Sequence, residues 1–220
     1  MYILHYAPDN ASLIIRFALE EMGLPYRTQL VDRGLRAQDS AAYRAIAPTG
    51  LIPALETPDG TLFETGAILL YLAQTHDAPL RGQGLTWLFF IANTLHADMR
   101  LHFYAERYGA DLPTFRAATQ GRIAGHLALL DTALRDRPDL FIADGPSILT
   151  LYLLGLCRWL QLYPLGGTDW FDFSAYPAIH ALARQIETRP AIVRAANAEG
   201  LGATPLSAAR YATPPEGSAI

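Results

Sequence analysis

Cysteine is nearly missing, Cys157 being the single one among 220 residues. That excludes an internal disulfide, a thioredoxin-type Cys-x-x-Cys pair and any multi-cysteine metal site, and no metal is expected. Thiol chemistry here has to borrow its sulfur from a ligand. Charge is scarce too, at 17% of residues, and leans acidic: 21 Asp and Glu against 17 Lys and Arg give a net charge of -4. Such a surface repels nucleic acid on average, so no nucleic-acid partner is expected. Long apolar runs are also lacking. The most apolar stretch, residues 148–156, is broken by Gly155 and followed by Arg158, far short of the ~20 residues of a membrane span. The chain runs from Met1 into Tyr2-Ile3-Leu4 without a basic lead. It is therefore read as carrying no export signal, as cytoplasmic and as having no membrane partner.

What is abundant is apolar material, 51% of the chain, which supplies a substantial core. The length exceeds the usual single domain of about 100–150 residues, so two modest domains are expected. The first eighty residues spell strand, helix, strand, helix, strand, strand, helix. Residues 2–6 read as a strand, and Ala7-Pro8-Asp9-Asn10 as a turn in which Asn10 or Ser12 caps the next helix. Ile14, Phe17, Ala18 and Met22 keep helical spacing until Gly23 and Pro25. Residues 26–31 are extended again, and such a crossover requires a parallel pair and is nearly always right-handed. After a short helix at 41–46, a hairpin follows with Pro58-Asp59-Gly60 at its turn. A helix begins near Thr65.

The stretch from Pro79 to Gly84 reads as a linker, and beyond it strand signals give way to helical stretches at 86–108, 115–134, 148–162 and 179–188. The expected architecture is an α/β thioredoxin-like N-terminal domain at residues 1–78, an all-α helical C-terminal domain at 85–202, and a mobile or surface-lying tail at 203–220.

Four motifs stand in this frame: Tyr6-Ala7-Pro8 leading to Ser12-Leu13; Ala45-Ile46-Ala47-Pro48-Thr49-Gly50-Leu51-Ile52-Pro53-Ala54-Leu55; Glu64-Thr65-Gly66-Ala67-Ile68; and Arg189-Pro190-Ala191. With these in this order the chain resembles the glutathione transferases over nearly its whole length, most nearly the bacterial beta class. The resemblance implies a glutathione transferase, a detoxification enzyme that conjugates the glutathione thiolate to a small hydrophobic electrophile. It also implies a homodimer with the glutathione site facing the domain cleft. Leu51, Ile52 and Pro53 would take the cysteinyl unit, with Pro53 cis and the Ile52 peptide pairing like an added strand. Glu64 would pair with the ligand ammonium. Thr65, where the family more often has Ser, would receive the γ-glutamyl carboxylate at a helix start or simply cap that helix.

Activation of the thiol follows from its ordinary pKa of about 8.5, which leaves it mostly protonated at neutral pH. Lowering that value by two units takes about 2.7 kcal/mol, within reach of one or two hydrogen bonds. Candidates are Ser12, Asn10 and Tyr6, with helix capping as the alternative for Ser12 and packing for Tyr6. The beta-class cysteine would fall at Ala11, so mixed-disulfide chemistry on the protein is not expected. Arg36 falls near a basic residue that faces the glycyl carboxylate. His96 matches a ligand-proximal histidine, although Ala97 replaces the basic residue beside it; a surface or interface role is its alternative. His96, Met99, Arg100 and Phe103 share a helix face, and the co-substrate would lodge near Met99, Phe103 and Tyr104. Ser147-Ile148-Leu149-Thr150 stands at the family's capping box with Thr150 in place of an acid. Cys157 is read as an inert core thiol. Glutathione-dependent disulfide reduction and a noncatalytic binding module are the rival readings.

Overall fold

The computed structural model describes residues 1–76, 80–108 and 112–219. The expected linker's first residue, Pro79, and the expected domain boundary at Ala78 lie outside the described residues. Two compact units emerge: Met1–Leu80 with Glu187–Pro205 and Arg210–Ile220, and Arg81–Ile186 with Leu206–Ala209.

The first unit holds β1 (Tyr2–Tyr6), α1 (Ser12–Glu21), β2 (Tyr26–Leu30), α2 (Ala41–Ile46), β3 (Ala54–Thr57), β4 (Gly60–Phe63) and α3 (Thr65–Thr75). The sheet order is β2-β1-β3-β4. β1 and β2 run parallel through the α1 crossover, and β3 returns antiparallel between β1 and β4. This is the thioredoxin-like pattern read from the sequence. The β3–β4 hairpin turns at Gly60, whose φ of +114° suits a residue without a Cβ.

One helix of this unit, α9 (Pro190–Glu199), was not among the expected helical stretches; its residues fall within the expected bounds of the helical domain, yet it packs on α1. Pro190 opens it at the first helical position, where a missing N–H costs nothing. Arg189 clamps Glu21 at the end of α1 through two nitrogens at 2.8 Å, and Arg194 reaches Glu20 at 2.7 Å. The Arg189-Pro190-Ala191 motif is thus a docking device. The tail also belongs to this unit: the Thr213 N–H donates to the Gly200 carbonyl at 2.9 Å, and Arg33 donates to the Ala219 carbonyl at 2.9 Å.

The second unit holds α4 (Gln83–Phe90), a π-helical turn (Ile91–Leu95), α5 (His96–Phe103), α6 (Leu112–Asp136), α7 (Ile148–Leu160) and α8 (Pro177–Ile186). Every residue of α7 is buried, Cys157 included. Burial pushes that thiol well above its ordinary value, which keeps it protonated and inert. Asp131 of α6, itself buried, accepts the N–H groups of Ala178 and Ile179 at 2.9 and 3.0 Å and so caps α8 from outside. The capping box expected at 147–150 does not form. The Ser147 side chain makes no capping bond, and Thr150 donates its hydroxyl to the Phe141 carbonyl at 2.5 Å instead. Among the described residues, no helix is long and apolar enough to cross a membrane.

Candidate active site

Three segments of the first unit leave the sheet at one end. Ala54 pairs with His5 on one side and Phe63 on the other. By register, the chain after Tyr6, the approach to β3 at 51–53 and the start of α3 at Glu64 and Thr65 are therefore neighbours.

The Ile52–Pro53 peptide is cis. Leu51 is 44% exposed, and its carbonyl accepts the Tyr43 hydroxyl at 2.9 Å. Tyr43 is buried with Val31, Ala47 and Ala54, so a core tyrosine anchors the loop from below. The sequence signal for it was present: it is the lone aromatic in an alanine-rich helix. The N–H and C=O of Ile52 make no hydrogen bond among the described residues, which leaves a strand-like edge open to a partner backbone.

Glu64 adopts φ 70° and ψ 115°. A side chain in that region costs about 1–3 kcal/mol, and such outliers collect at ligand sites. Its side chain is exposed, and the carboxylate has no partner among the described residues. Thr65 is 5% exposed and is the first residue of α3. The positive end of the helix therefore follows Glu64 directly in the chain, an acid beside a helix start, which suits a ligand that presents an ammonium next to a carboxylate.

The loop between β1 and α1 differs from its expected use. Ser12 is fully buried; its hydroxyl donates to the Ala7 carbonyl at 3.0 Å and accepts the Ala7 N–H at 3.3 Å. Both functions of that hydroxyl close its own loop. Tyr6 is 3% exposed and donates its hydroxyl to Glu216. Burial, followed by that carboxylate, raises its pKa well above the ordinary phenol value. Both hydroxyls thus donate to groups of the chain itself. Asn10, half-buried, turns its Oδ1 back to the Ala11 N–H at 2.8 Å. Its amide nitrogen makes no hydrogen bond among the described residues.

A residue the sequence reading missed holds this loop. Glu199, at the end of α9, is fully buried; it accepts the Asp9 N–H and the Arg16 Nε, each at 2.7 Å. Asp9 stands in the left-handed region at φ 49°, and its N–H is fixed there by that carboxylate. Burial pushes the Glu199 carboxyl up to about 7 against the pull of Arg16. The Arg16 guanidinium lies 4.7 Å from the Tyr6 ring centre. An arginine inside the apolar run of α1, between Leu13 and Leu19, was the sequence's hint of a buried acid. Arg36, also left-handed at φ 54°, is exposed and gives its guanidinium to Asp39 at 2.7–2.8 Å. It does not stand free for a ligand carboxylate.

In the second unit, His96 follows the π-helical turn, a feature common at functional sites. It shares a hydrogen bond between Nδ1 and the Tyr152 hydroxyl at 2.9 Å and faces Trp159. Burial, then Arg100, pushes it down from 6.5 to about 4, so it acts as a neutral group at pH 7. A folded pKa below the unfolded one means that the unfolded chain binds more protons between those values. The stability held in neutral His96 is therefore complete above pH 6.5 and lost as pH falls toward 4. Urea denaturation from pH 7 to 4 is expected to cost the wild type about 3 kcal/mol more than His96→Gln; parallel slopes for the two would mean that His96 is fully hydrated.

Met99 is fully buried and is a core residue, which corrects its expected place beside a co-substrate. Phe103 and Tyr104 are partly exposed. Phe103 meets Tyr163 edge-on, and Tyr104 lies between the guanidinium groups of Arg100 and Arg107 at 5.9 and 4.6 Å.

Comparison with known proteins bears on the family and the fold. Residues 11–75 match the family described as glutathione S-transferase, N-terminal domain. Glutathione S-transferase 1 of Schizosaccharomyces pombe is 38% identical over 197 residues, 79% of this chain and 85% of that one. The disulfide-bond oxidoreductase YfcG of Escherichia coli is 28% identical over 205 residues, 87% and 92% of the two chains. A solved structure of a glutathione transferase homologue from Sulfitobacter with bound glutathione is 27% identical. It superposes with a TM-score of 0.74, covering 90% of this chain and 97% of that one.

Proposed function

The chain belongs to the glutathione transferase family, and from that premise we propose that it binds glutathione at the open end of the first unit's sheet and conjugates its thiolate to a small hydrophobic electrophile. The observation that carries this reading is Glu64, an exposed acid held at φ 70° at the head of α3. Glu64 takes the ligand ammonium, while Thr65 and the first N–H of α3 take the γ-glutamyl carboxylate. The Ile52 peptide pairs with the cysteinyl backbone, the Leu51 side of that loop being pinned by Tyr43. Asn10, through its amide nitrogen, and the head of α1 stabilise the thiolate. The thiolate forms a carbon–sulfur bond as the leaving group departs, and the thiol proton passes to solvent. Phe103 and Tyr104 take the co-substrate. Arg36 contributes to the glycyl carboxylate only by exchanging Asp39 for it. The homodimer and the detoxifying role implied by the resemblance belong to the same proposal.

A second reading is favoured by the relative named as a disulfide-bond oxidoreductase. The same bound thiolate would attack a mixed disulfide, forming a new sulfur–sulfur bond and releasing a thiolate, with no protein cysteine involved. Turnover of an aryl halide against that of a mixed disulfide separates the two.

The test is calorimetric titration with glutathione, with the ultraviolet thiolate band followed on the same sample at pH 7. Saturable binding with an ionised thiol is expected. Asn10→Ala is expected to lose most of the thiolate band and about ten- to a hundredfold in kcat, with Kd within about threefold. Ser12→Ala is expected to lose about 1–3 kcal/mol of stability through its buried bonds to Ala7, with the band retained. The reverse outcome would make Ser12 the sulfur's donor, and no binding at all would remove the ligand.

A further inference from the structure

Residues 210–219 return over the first unit to the loop that the preceding reading assigns to the thiol. The path is fixed at four points. At its root, Gly200 ends α9 at φ +66°, and a Cβ there would stand 2.0 Å from the Thr213 carbonyl oxygen, so the tail lies directly on that backbone. Further along, Glu216 receives the Tyr6 hydroxyl. Gly217 packs so closely that a Cβ would come within 2.8 Å of Leu30 and 3.3 Å of Pro8. Finally, the Ala219 carbonyl accepts Arg33 from the segment after β2. The tail therefore touches the C-terminal ends of both parallel strands, Tyr6 and Pro8 at the end of β1 and Leu30 at the end of β2.

Through the exposed Glu216, these contacts join a network that is buried at Tyr6, Arg16, Glu199 and Asp9. Glu216 holds Tyr6, the Tyr6 ring lies against Arg16 at 4.7 Å, Arg16 holds Glu199, and Glu199 holds the Asp9 N–H next to Asn10. A surface tail with no part in the loop's geometry would need none of these partners.

We propose that the tail is a positioning element for the thiol site, in which Glu216, acting through Tyr6, and the backbone at 217–219 hold the β1–α1 loop so that Asn10 and the head of α1 meet the sulfur. None of these tail residues touches the reacting atoms. Their effect is on alignment, where a displacement of about 1 Å costs up to about a hundredfold in rate. The inference rests on the reading of the β1–α1 loop as the thiol site.

The test compares the unaltered chain, Glu216→Ala, the conservative Glu216→Gln, and a chain ending at Pro215, each in calorimetry, thiolate absorbance and steady-state kinetics. Glu216→Ala and the shortened chain are expected to keep glutathione Kd within about twofold while the ionised fraction at pH 7 and kcat fall about tenfold. Glu216→Gln, which still offers Tyr6 an acceptor oxygen, is expected to recover most of both. Gly200→Val, which displaces the tail at its root without removing it, is expected to reproduce the loss and guards against a shortened chain that fails to fold. An unchanged thiolate band in the variants overturns the inference and leaves the thiol-site reading intact. Faster turnover or tighter binding would make the tail a cover instead and also overturns it. Absence of an ionised thiol in the unaltered chain is the separate failure of the thiol-site reading itself.

Discussion

Replacing Glu64 by glycine is expected to stabilise the protein and, at the same time, to weaken glutathione binding about ten- to a hundredfold. The two effects have separate causes at one residue. At φ 70° and ψ 115° any side chain is strained by about 1–3 kcal/mol, and glycine enters that region freely. Glycine's larger unfolded-state entropy takes back about 0.5–1 kcal/mol. The net gain is about 1 kcal/mol, read by urea denaturation without ligand. The loss is that of a charge-assisted hydrogen bond to the ligand ammonium, about 1.5–3 kcal/mol, read by calorimetry. Glu64→Gln separates them: it keeps the strain and removes the charge, so binding weakens with no gain in stability. Normal binding by Glu64→Gly would place the ammonium elsewhere and remove the observation on which the proposed function stands.

Glu199→Ala is expected to destabilise the protein by about 3–5 kcal/mol, the usual cost of leaving one partner of a buried ion pair alone. Arg16 is 5% exposed and would keep its charge without a carboxylate, and the Asp9 N–H would lose its acceptor. For a chain of this size that is a fall of roughly 10 °C in Tm. Combining Glu199→Ala with Arg16→Leu removes the orphaned charge, and most of the loss should return while the Asp9 loop stays unpinned. The double variant is therefore expected to fold well and turn over slowly. A loss under 1 kcal/mol in the single variant would mean that water reaches Arg16 and that the pair does not hold the loop.

Features set by near neighbours were legible before any coordinates. Alternating and helical spacing of apolar residues gave the parallel crossover, the hairpin at Gly60 and the helix beginning at Thr65. The Leu51-Ile52-Pro53 and Glu64-Thr65 motifs marked segments that the register brings together at one end of the sheet. Less legible was α9, because a ten-residue helix at the end of a helical run carries no sign of which unit it joins. Its ion pairs with Glu20 and Glu21 decide that.

The sequence by itself determined the two kinds of layer and the lack of a second cysteine for disulfide chemistry within the chain, since composition and periodicity act over a few residues. The tertiary structure alone decided which groups remain open. Ser12 carries the right hydroxyl in the right motif, yet turns it toward Ala7 within its own loop. Met99 shares a helix face with Phe103 but is sealed in the core. Tyr6 is held by an acid 210 residues away, and Arg16 by one 183 away. A polar group's role depends on the partner that replaces its lost water, and that partner is found by chain packing.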